Sequence, residues 1–262
     1  MFGTSRTPDA ATPPPGCEVV AFEEADRVLP HTTHILQTAP PGEDGDPALA
    51  RHGLVLAAAP LRWAGLLSTT GVYGDRGGAW VDEDTPPAPT GPRGRRRLVV
   101  EQQWRTAFAR CALDLFRVGG IYGPGRSPFA DVRAGRARRV DKPGHLFGRI
   151  HRDDIAGAVW AAMRQARGPG ARVLNLTDDE PAANADVLAE AARLLGVPPP
   201  PLVPFTQALE TMSPMGRSFW AESRRVMSRK TQDALDYRWR YSNFRAGLHA
   251  ILEQEGAETL PE

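Results

Sequence analysis

The chain has 262 residues, 41% hydrophobic and 24% charged, enough for a sizeable core and for about one or two domains. Its 32 basic and 31 acidic residues leave a formal net charge of +1, so no overall field points to nucleic acid or to an anionic membrane. No window approaches ~18 consecutive apolar residues, Met1 to Arg6 lacks the apolar centre of a signal peptide, and two cysteines, Cys17 and Cys111, are too few for a disulfide framework. The expectation is a cytoplasmic chain with no nucleic-acid or membrane partner. Thirty of the basic residues are Arg and only Lys142 and Lys230 are Lys, so any chemistry that needs an ammonium group has two positions to use.

Residues 1–16 read as a strand stub followed by a loop through Pro13-Pro14-Pro15-Gly16. Short strands are expected at 18–22 and 34–39, a helix at 47–59 with Pro47 in its first turn, and a buried strand at 61–69. A Gly/Pro/Asp-rich loop covers 71–93. A helix at 94–110 and a strand at 112–118 follow, then a helix at 153–166, a strand at 172–176 and a helix at 184–195 ended by Gly196. Four prolines, 198–201, precede an irregular tail and a last helix near 243–255. The alternation predicts an α/β fold with a doubly wound, mainly parallel sheet. Ligands in such folds sit beyond the carboxyl ends of strands, which here means residues 38–41, 68–74 and 119–125.

Each of these segments has a functional and a plain reading. Thr38-Ala39-Pro40-Pro41 offers small residues that a flat ring or ribose can approach, and is equally an ordinary proline-punctuated loop. Leu67-Ser68-Thr69-Thr70-Gly71-Val72-Tyr73-Gly74 gathers three hydroxyls at a strand end, where one can donate to a substrate oxygen or merely cap a turn. Gly119-Gly120-Ile121-Tyr122-Gly123-Pro124-Gly125 permits close backbone approach, but Pro128 breaks the dinucleotide fingerprint, and no Gly-x-Gly-x-x-Gly occurs in the chain. His151-Arg152-Asp153-Asp154 is better explained as a helix start than as a metal or acid/base site. His31 and His34 have no third ligand nearby in sequence. The templates for zinc proteases and serine hydrolases are absent. Arg93, Arg95, Arg96 and Arg97 could meet a phosphate or simply open a solvated helix.

Taken in order, Ser68 to Gly74, Val81-Asp82-Glu83 with Pro86 to Pro92, Phe116 to Gly125, Ile150 to Ala156 and Val173 to Leu176 resemble the extended short-chain dehydrogenase/reductases, the NAD-dependent epimerase/dehydratase family, in an atypical bacterial branch. The resemblance implies a Rossmann-like NAD(P)-binding domain over residues 1–180, incomplete at its N-terminus, and C-terminal helices with a small substrate lobe over 181–262. It implies NADP or NAD as cofactor and redox or epimerase-type chemistry on a hydroxyl or keto carbon of a small molecule such as a nucleotide sugar. A homodimer would follow by the same analogy. Thr69 falls where the family places the Ser/Thr that hydrogen-bonds the reacting oxygen. Ala39 and Pro40 fall in the loop lining the adenosine and ribose, and Gly120, Ile121 and Tyr122 in the loop bordering the nicotinamide. Gly3 to Arg6 resembles the end of the second strand, where Arg6 suits the 2′-phosphate of NADP.

Two departures accompany the resemblance. The Tyr-x-x-x-Lys pair is absent: Arg93 stands at the Tyr position and Arg97 at the Lys position. Arg97 can keep a ribose-binding role, but a guanidinium does not shuttle protons, which leaves Tyr73 as a substitute phenol. The glycine-rich first turn is also absent. On this reading a βα unit and part of the next strand, on the order of 30 residues, are missing. Strands two and four of the family order would then face a gap, and the polypeptide would be poorly stable or impaired. A rival reading from another class is a non-catalytic dinucleotide-binding or protein-interaction module, motivated by the missing Tyr/Lys pair.

Overall fold

A computed structural model describes residues 1–258. In chain order its elements are β1 (Phe2–Ser5), β2 (Glu18–Ala21), β3 (His34–Gln37), α1 (Pro47–Ala58), β4 (Trp63–Thr69), β5 (Trp80–Val81), α2 (Pro92–Ala107), β6 (Ala112–Val118), β7 (Gly120–Tyr122), α3 (Phe129–Arg133), β8 (Arg139–Asp141), β9 (Arg149–His151) and α4 (Arg152–Met163). They continue with β10 (Gly170–Leu176), α5 (Asn184–Leu194), β11 (Leu202–Pro204), α6 (Phe205–Thr211), α7 (Pro214–Trp220), β12 (Arg225–Val226), α8 (Arg229–Leu235) and α9 (Phe244–Glu258). The largest sheet has the order β10-β6-β4-β3, and the pairs β1–β2, β3–β4, β5–β12, β7–β9 and β8–β11 are each parallel. The expected mainly parallel α/β architecture is therefore present. No helix among the described residues is long and apolar enough to cross a membrane.

The chain forms two compact units. The first comprises residues 1–67, 96–115 and 166–172. Its core packs Leu56 of α1, Ala64 and Leu66 of β4, Val100 and Trp104 of α2, and Leu113 and Leu115 of β6. The seven residues of β6 are all buried, as a strand covered on both faces requires. Helix α1 starts where Asp46 accepts a hydrogen bond from the Leu49 amide, with Pro47 in its first turn. In this unit β1 and β2 make a separate two-stranded sheet, and among the described residues β1 and β3 share no ladder.

The second unit comprises residues 68–95, 116–165 and 173 onward. Helix α5 buries Val187, Leu188, Ala191 and Ala192 against Phe244, Leu248 and Ile251 of α9. Gly196 ends it in the left-handed region at φ 67°, donating its amide to the Arg193 carbonyl. Helix α4 begins as anticipated at His151-Arg152-Asp153-Asp154, with His151 Nδ1 accepting from the Asp153 amide. Asp154 does more than favour the helix dipole. It is fully buried and accepts from Tyr237 Oη (3.0 Å) and from the amides of Arg240 (2.7 Å) and Tyr241 (3.0 Å), which ties the C-terminal segment to α4.

Asp114 is a fully buried carboxylate of the first unit. Its side chain has no exposed surface and accepts from Trp63 Nε1 (2.8 Å), Arg167 Nη1 (2.7 Å) and Arg172 Nε (2.8 Å). Removing the carboxylate strips three donors of their acceptor, two of them cationic, although both guanidinium groups reach solvent in part. Asp114→Ala is expected to lower the unfolding free energy by about 2–3 kcal/mol in urea titrations; a loss below about 0.5 kcal/mol, the range of ordinary surface changes, would contradict that role.

Candidate functional site

The second unit holds a cavity of about 460 Å³. Its walls come from the end of β4 and the turn after it (Ser68–Gly71), the first residues of α2 (Gly91–Gly94), the β6–β7 junction (Val118–Ile121), the lead-in to β9 (Leu146–Arg149), and the end of α7 with Glu222 and Arg224. Two of the three strand-end segments singled out by the sequence thus meet at one cavity.

Thr69 sits there as the cap of a one-turn 3-10 helix, Thr70–Tyr73, with extended backbone at φ −143° and ψ 146°. Its Oγ1 accepts from the Gly71 amide at 3.1 Å, and the hydroxyl keeps its proton to donate. The turn is pressed against the start of α2: a Cβ on Gly94 would stand 2.6 Å from the Gly71 carbonyl oxygen. Glycine is equally required at the β6–β7 junction, where a Cβ on Gly119 would stand 2.9 Å from Thr177 Cγ2 and 3.0 Å from the Gly148 carbonyl. Gly120 and Ile121 line the cavity, and the Gly120 amide donates to Gly148.

The tyrosines point elsewhere. Tyr73 is fully buried and outside the lining; its Oη donates to Asn175 Oδ1 at 2.8 Å, and the Arg117 guanidinium lies 4.8 Å from its ring centre. Burial pushes its phenol up, against the opposing pull of Arg117. That placement puts the Tyr73 phenol outside the cavity lining, hydrogen-bonded within the protein. Tyr122 is also buried; its Oη donates to the Asn243 carbonyl at 3.4 Å and burial raises its pKa. Arg93, at the family's Tyr position, does line the cavity, its guanidinium 5.1 Å from the Phe219 ring centre.

The remaining sequence candidates lie in the first unit. Arg97 Nη1 donates to the Ala39 carbonyl at 3.4 Å, so the cation at the family's Lys position and the loop after β3 come together. That loop is held by Gln37, whose Oε1 accepts from the Ala39 amide and whose Nε2 donates to Asp46. Pro40 is exposed beside it, and Arg6 is exposed at the end of β1.

The stretch from Pro204 to Trp220 has no legible pattern in the sequence, and its end, with Glu222 and Arg224, supplies a whole wall. Glu222 accepts from Thr90 Oγ1 (2.5 Å), the Gly91 amide (3.1 Å) and Arg224 Nη1 (2.7 Å). Burial acts to raise its carboxyl, but the Thr90 and Arg224 hydrogen bonds hold it below the ordinary range. Trp220 is stacked on His145 at 5.2 Å and meets Phe147 edge-on at 4.9 Å. Arg149 donates to the carbonyls of Phe147 (3.0 Å) and Ala182 (2.9 Å), and burial lowers its pKa. Only the contacts made after folding mark these residues; no motif in the segment announces them.

Two consequences can be measured. Gly94→Ala forces the Gly71 backbone away, so a loss of thermal stability together with altered chemical shifts at Thr69 is expected; native values for both would refute the contact. Burial also pushes His145 down to about 4 from 6.5. The unfolded chain therefore takes the proton first, and stability present above about pH 6.5 is lost as pH falls toward 4. His145→Phe should flatten that part of the stability–pH curve, and an unchanged slope would count against it.

No family model matches the chain. A conserved protein of unknown function from Silicibacter pomeroyi DSS is 46% identical, with a TM-score of 0.89 over 97% of this chain and 89% of that one. MoeE5 in complex with UDP-glucuronic acid and NAD is 20% identical, with a TM-score of 0.77 over 98% of this chain and 91% of that one, a likeness of fold. The 3-diazoavenalumate denitrifying reductase of a Streptomyces species is 31% identical over 180 residues, 64% of this chain and 58% of that protein. The chain spans about half the length of the curated relatives it matches. It belongs to the same family as the Silicibacter pomeroyi protein, and it has the fold of the extended short-chain dehydrogenase/reductases, the NAD-dependent epimerase/dehydratases.

Proposed function

We propose that the chain is an NAD(P)-dependent oxidoreductase that acts on a hydroxyl or keto carbon of a small molecule, with Thr69 as the residue that holds the reacting oxygen. The observation that carries this reading is the Thr69 hydroxyl at the carboxyl end of a parallel strand, in a cavity whose neighbouring wall is glycine backbone. Gly119 and Gly120 have the bare surface that a flat nicotinamide ring needs, and added Cβ atoms would meet the Gly148 carbonyl. In the first unit, Arg97 with Ala39 and Pro40 has the chemistry for a ribose and adenine, and Arg6 that for a 2′-phosphate, which favours NADP over NAD. The chain has no glycine-rich turn for the diphosphate. The fold and the names of the relatives support the same class: MoeE5 is seen with NAD, and the Streptomyces relative is called a reductase.

The cofactor, when bound, supplies or accepts the hydride. The protein's part is to orient and to stabilise. The Thr69 hydroxyl donates to the substrate oxygen as charge develops on it. Arg93 keeps its proton at neutral pH and contributes positive potential, not acid–base exchange. With Tyr73 and Tyr122 buried and hydrogen-bonded, the accompanying proton is exchanged with solvent through the hydroxyls of the β4 end. Residues 181–262 form the substrate side, and nucleotide sugars are one substrate class to test. Two free thiols suit a reducing cytoplasm.

The missing cavity phenol also favours the second reading, a dinucleotide-binding module without catalysis. Calorimetry with NADPH and NADH, paired with turnover on keto and hydroxyl substrates, separates the two. The enzyme reading expects binding, turnover, and a loss of about 100-fold in kcat for Thr69→Val with cofactor affinity retained, the scale of one lost oxyanion donor. Binding with no turnover on any substrate selects the module; absence of binding rejects both.

A further inference from the structure

Resting on the reading of this cavity as the substrate site, we propose that its substrate is a planar aromatic carboxylate and not a polyhydroxylated sugar. Three features of the lining lead there.

The first is charge. Four arginines line the cavity, Arg93, Arg126, Arg149 and Arg224, against a single carboxylate, Glu222. Glu222 is already matched by Arg224 at 2.7 Å. Arg149 spends its Nη1 on two neutral carbonyls. Neither Arg93 nor Arg126 is paired with a carboxylate among the described residues, and both are solvent-accessible, so the cavity mouth carries positive charge that an incoming anion neutralises. The guanidinium fork matches a planar carboxylate with two parallel hydrogen bonds.

The second is shape. Phe147, Phe219 and Trp220 give the cavity an aromatic wall. Trp220 is buried and fixed between His145, Phe147 and Phe205. Phe219 is half-exposed at 49% with Arg93 over its ring. Rigid rings of this kind reward a flat partner by offset or edge-on contact.

The third is what the wall does not offer. A pyranose needs several acceptors and donors for its hydroxyls. Among the lining residues the only carboxamide is Asn184, whose Oδ1 accepts from the Val140 amide, and the only carboxylate is Glu222, filled by three donors. Ser218 Oγ donates to the Met215 carbonyl. Sugar hydroxyls here would find donors in the arginines and the Thr69 hydroxyl but few open side-chain acceptors, whereas an aromatic ring asks for no partner. The reducible or oxidisable group of the substrate then lies toward Thr69.

The test uses the full chain with NADPH present and absent, and follows binding of cinnamate, its methyl ester and UDP-glucose by calorimetry. Cinnamate is expected to bind, with the ester at least about tenfold weaker, since the ester loses the charge-assisted bond. Arg93→Ala combined with Arg126→Ala should weaken cinnamate by a similar factor while the melting temperature holds, because both side chains are exposed. Arg93→Lys keeps the charge but not the fork, and should recover only part of the loss. Equal binding of acid and ester, or UDP-glucose binding tighter than cinnamate and lost in the same double variant, would overturn the proposal. Failure of NADPH to bind while cinnamate binds with the stated arginine dependence would instead sink the oxidoreductase reading and leave the ligand class standing.

Discussion

The candidate site depends on one close backbone approach. The turn after β4 is pressed onto the start of α2, where only glycine at 94 leaves room for the Gly71 carbonyl. The Ala88 amide donates to the Val72 carbonyl, and Tyr73 anchors the end of the turn on Asn175. With those three restraints, Thr69 is held in extended conformation at the cavity wall. A hydroxyl that orients a reacting oxygen works only if its direction is fixed before the substrate arrives. The turn supplies that fixity without a phenol.

The same anchoring explains why Tyr73 is a structural residue. Its ring is buried under Arg117 and its Oη is bonded to a carboxamide that also donates, through Nδ2, to the Met227 carbonyl. Asn175 thus links the β4 turn, β10 and the segment leading into α8. Thr231 continues the chain of contacts, donating to Glu83 and accepting from the Asn175 amide. Glu83 Oε2 has no hydrogen-bond partner, but the contacts that are made tie these segments together and specify one arrangement of the loops around the cavity.

The residues proposed to set ligand chemistry are of a different kind. Arg93 stands at the position the family gives to tyrosine, and it faces an aromatic wall built from Phe147, Phe219 and Trp220. A permanent cation there changes the site from one that exchanges protons to one that attracts anions. On the proposed reading, the loss of the phenol and the gain of an anion-binding mouth are the same substitution seen from two sides.

Periodicity and punctuation in the sequence determined the scaffold. Alternating apolar strands and helices, with glycine and proline at their ends, placed β3, β4, β6, β10, α1, α2, α4 and α5 to within a few residues, because burial of a strand or a helix face leaves a local pattern. Strand-end position also pointed to the segments 68–74 and 119–125, since parallel sheets present ligands at that edge, and the family resemblance singled out Thr69, Gly120 and Ile121 within them. The short strands β7, β8, β9, β11 and β12 and the helices α6 to α8 went unread, as two- to seven-residue elements carry too little pattern to register. Only the tertiary structure decided that Tyr73 turns inward, that Asp154 clamps the C-terminal segment, and that Phe219, Trp220, Glu222 and Arg224 close the cavity opened by residues 150 positions earlier. Those outcomes depend on contacts between segments far apart in the chain, and no local pattern of residues encodes them.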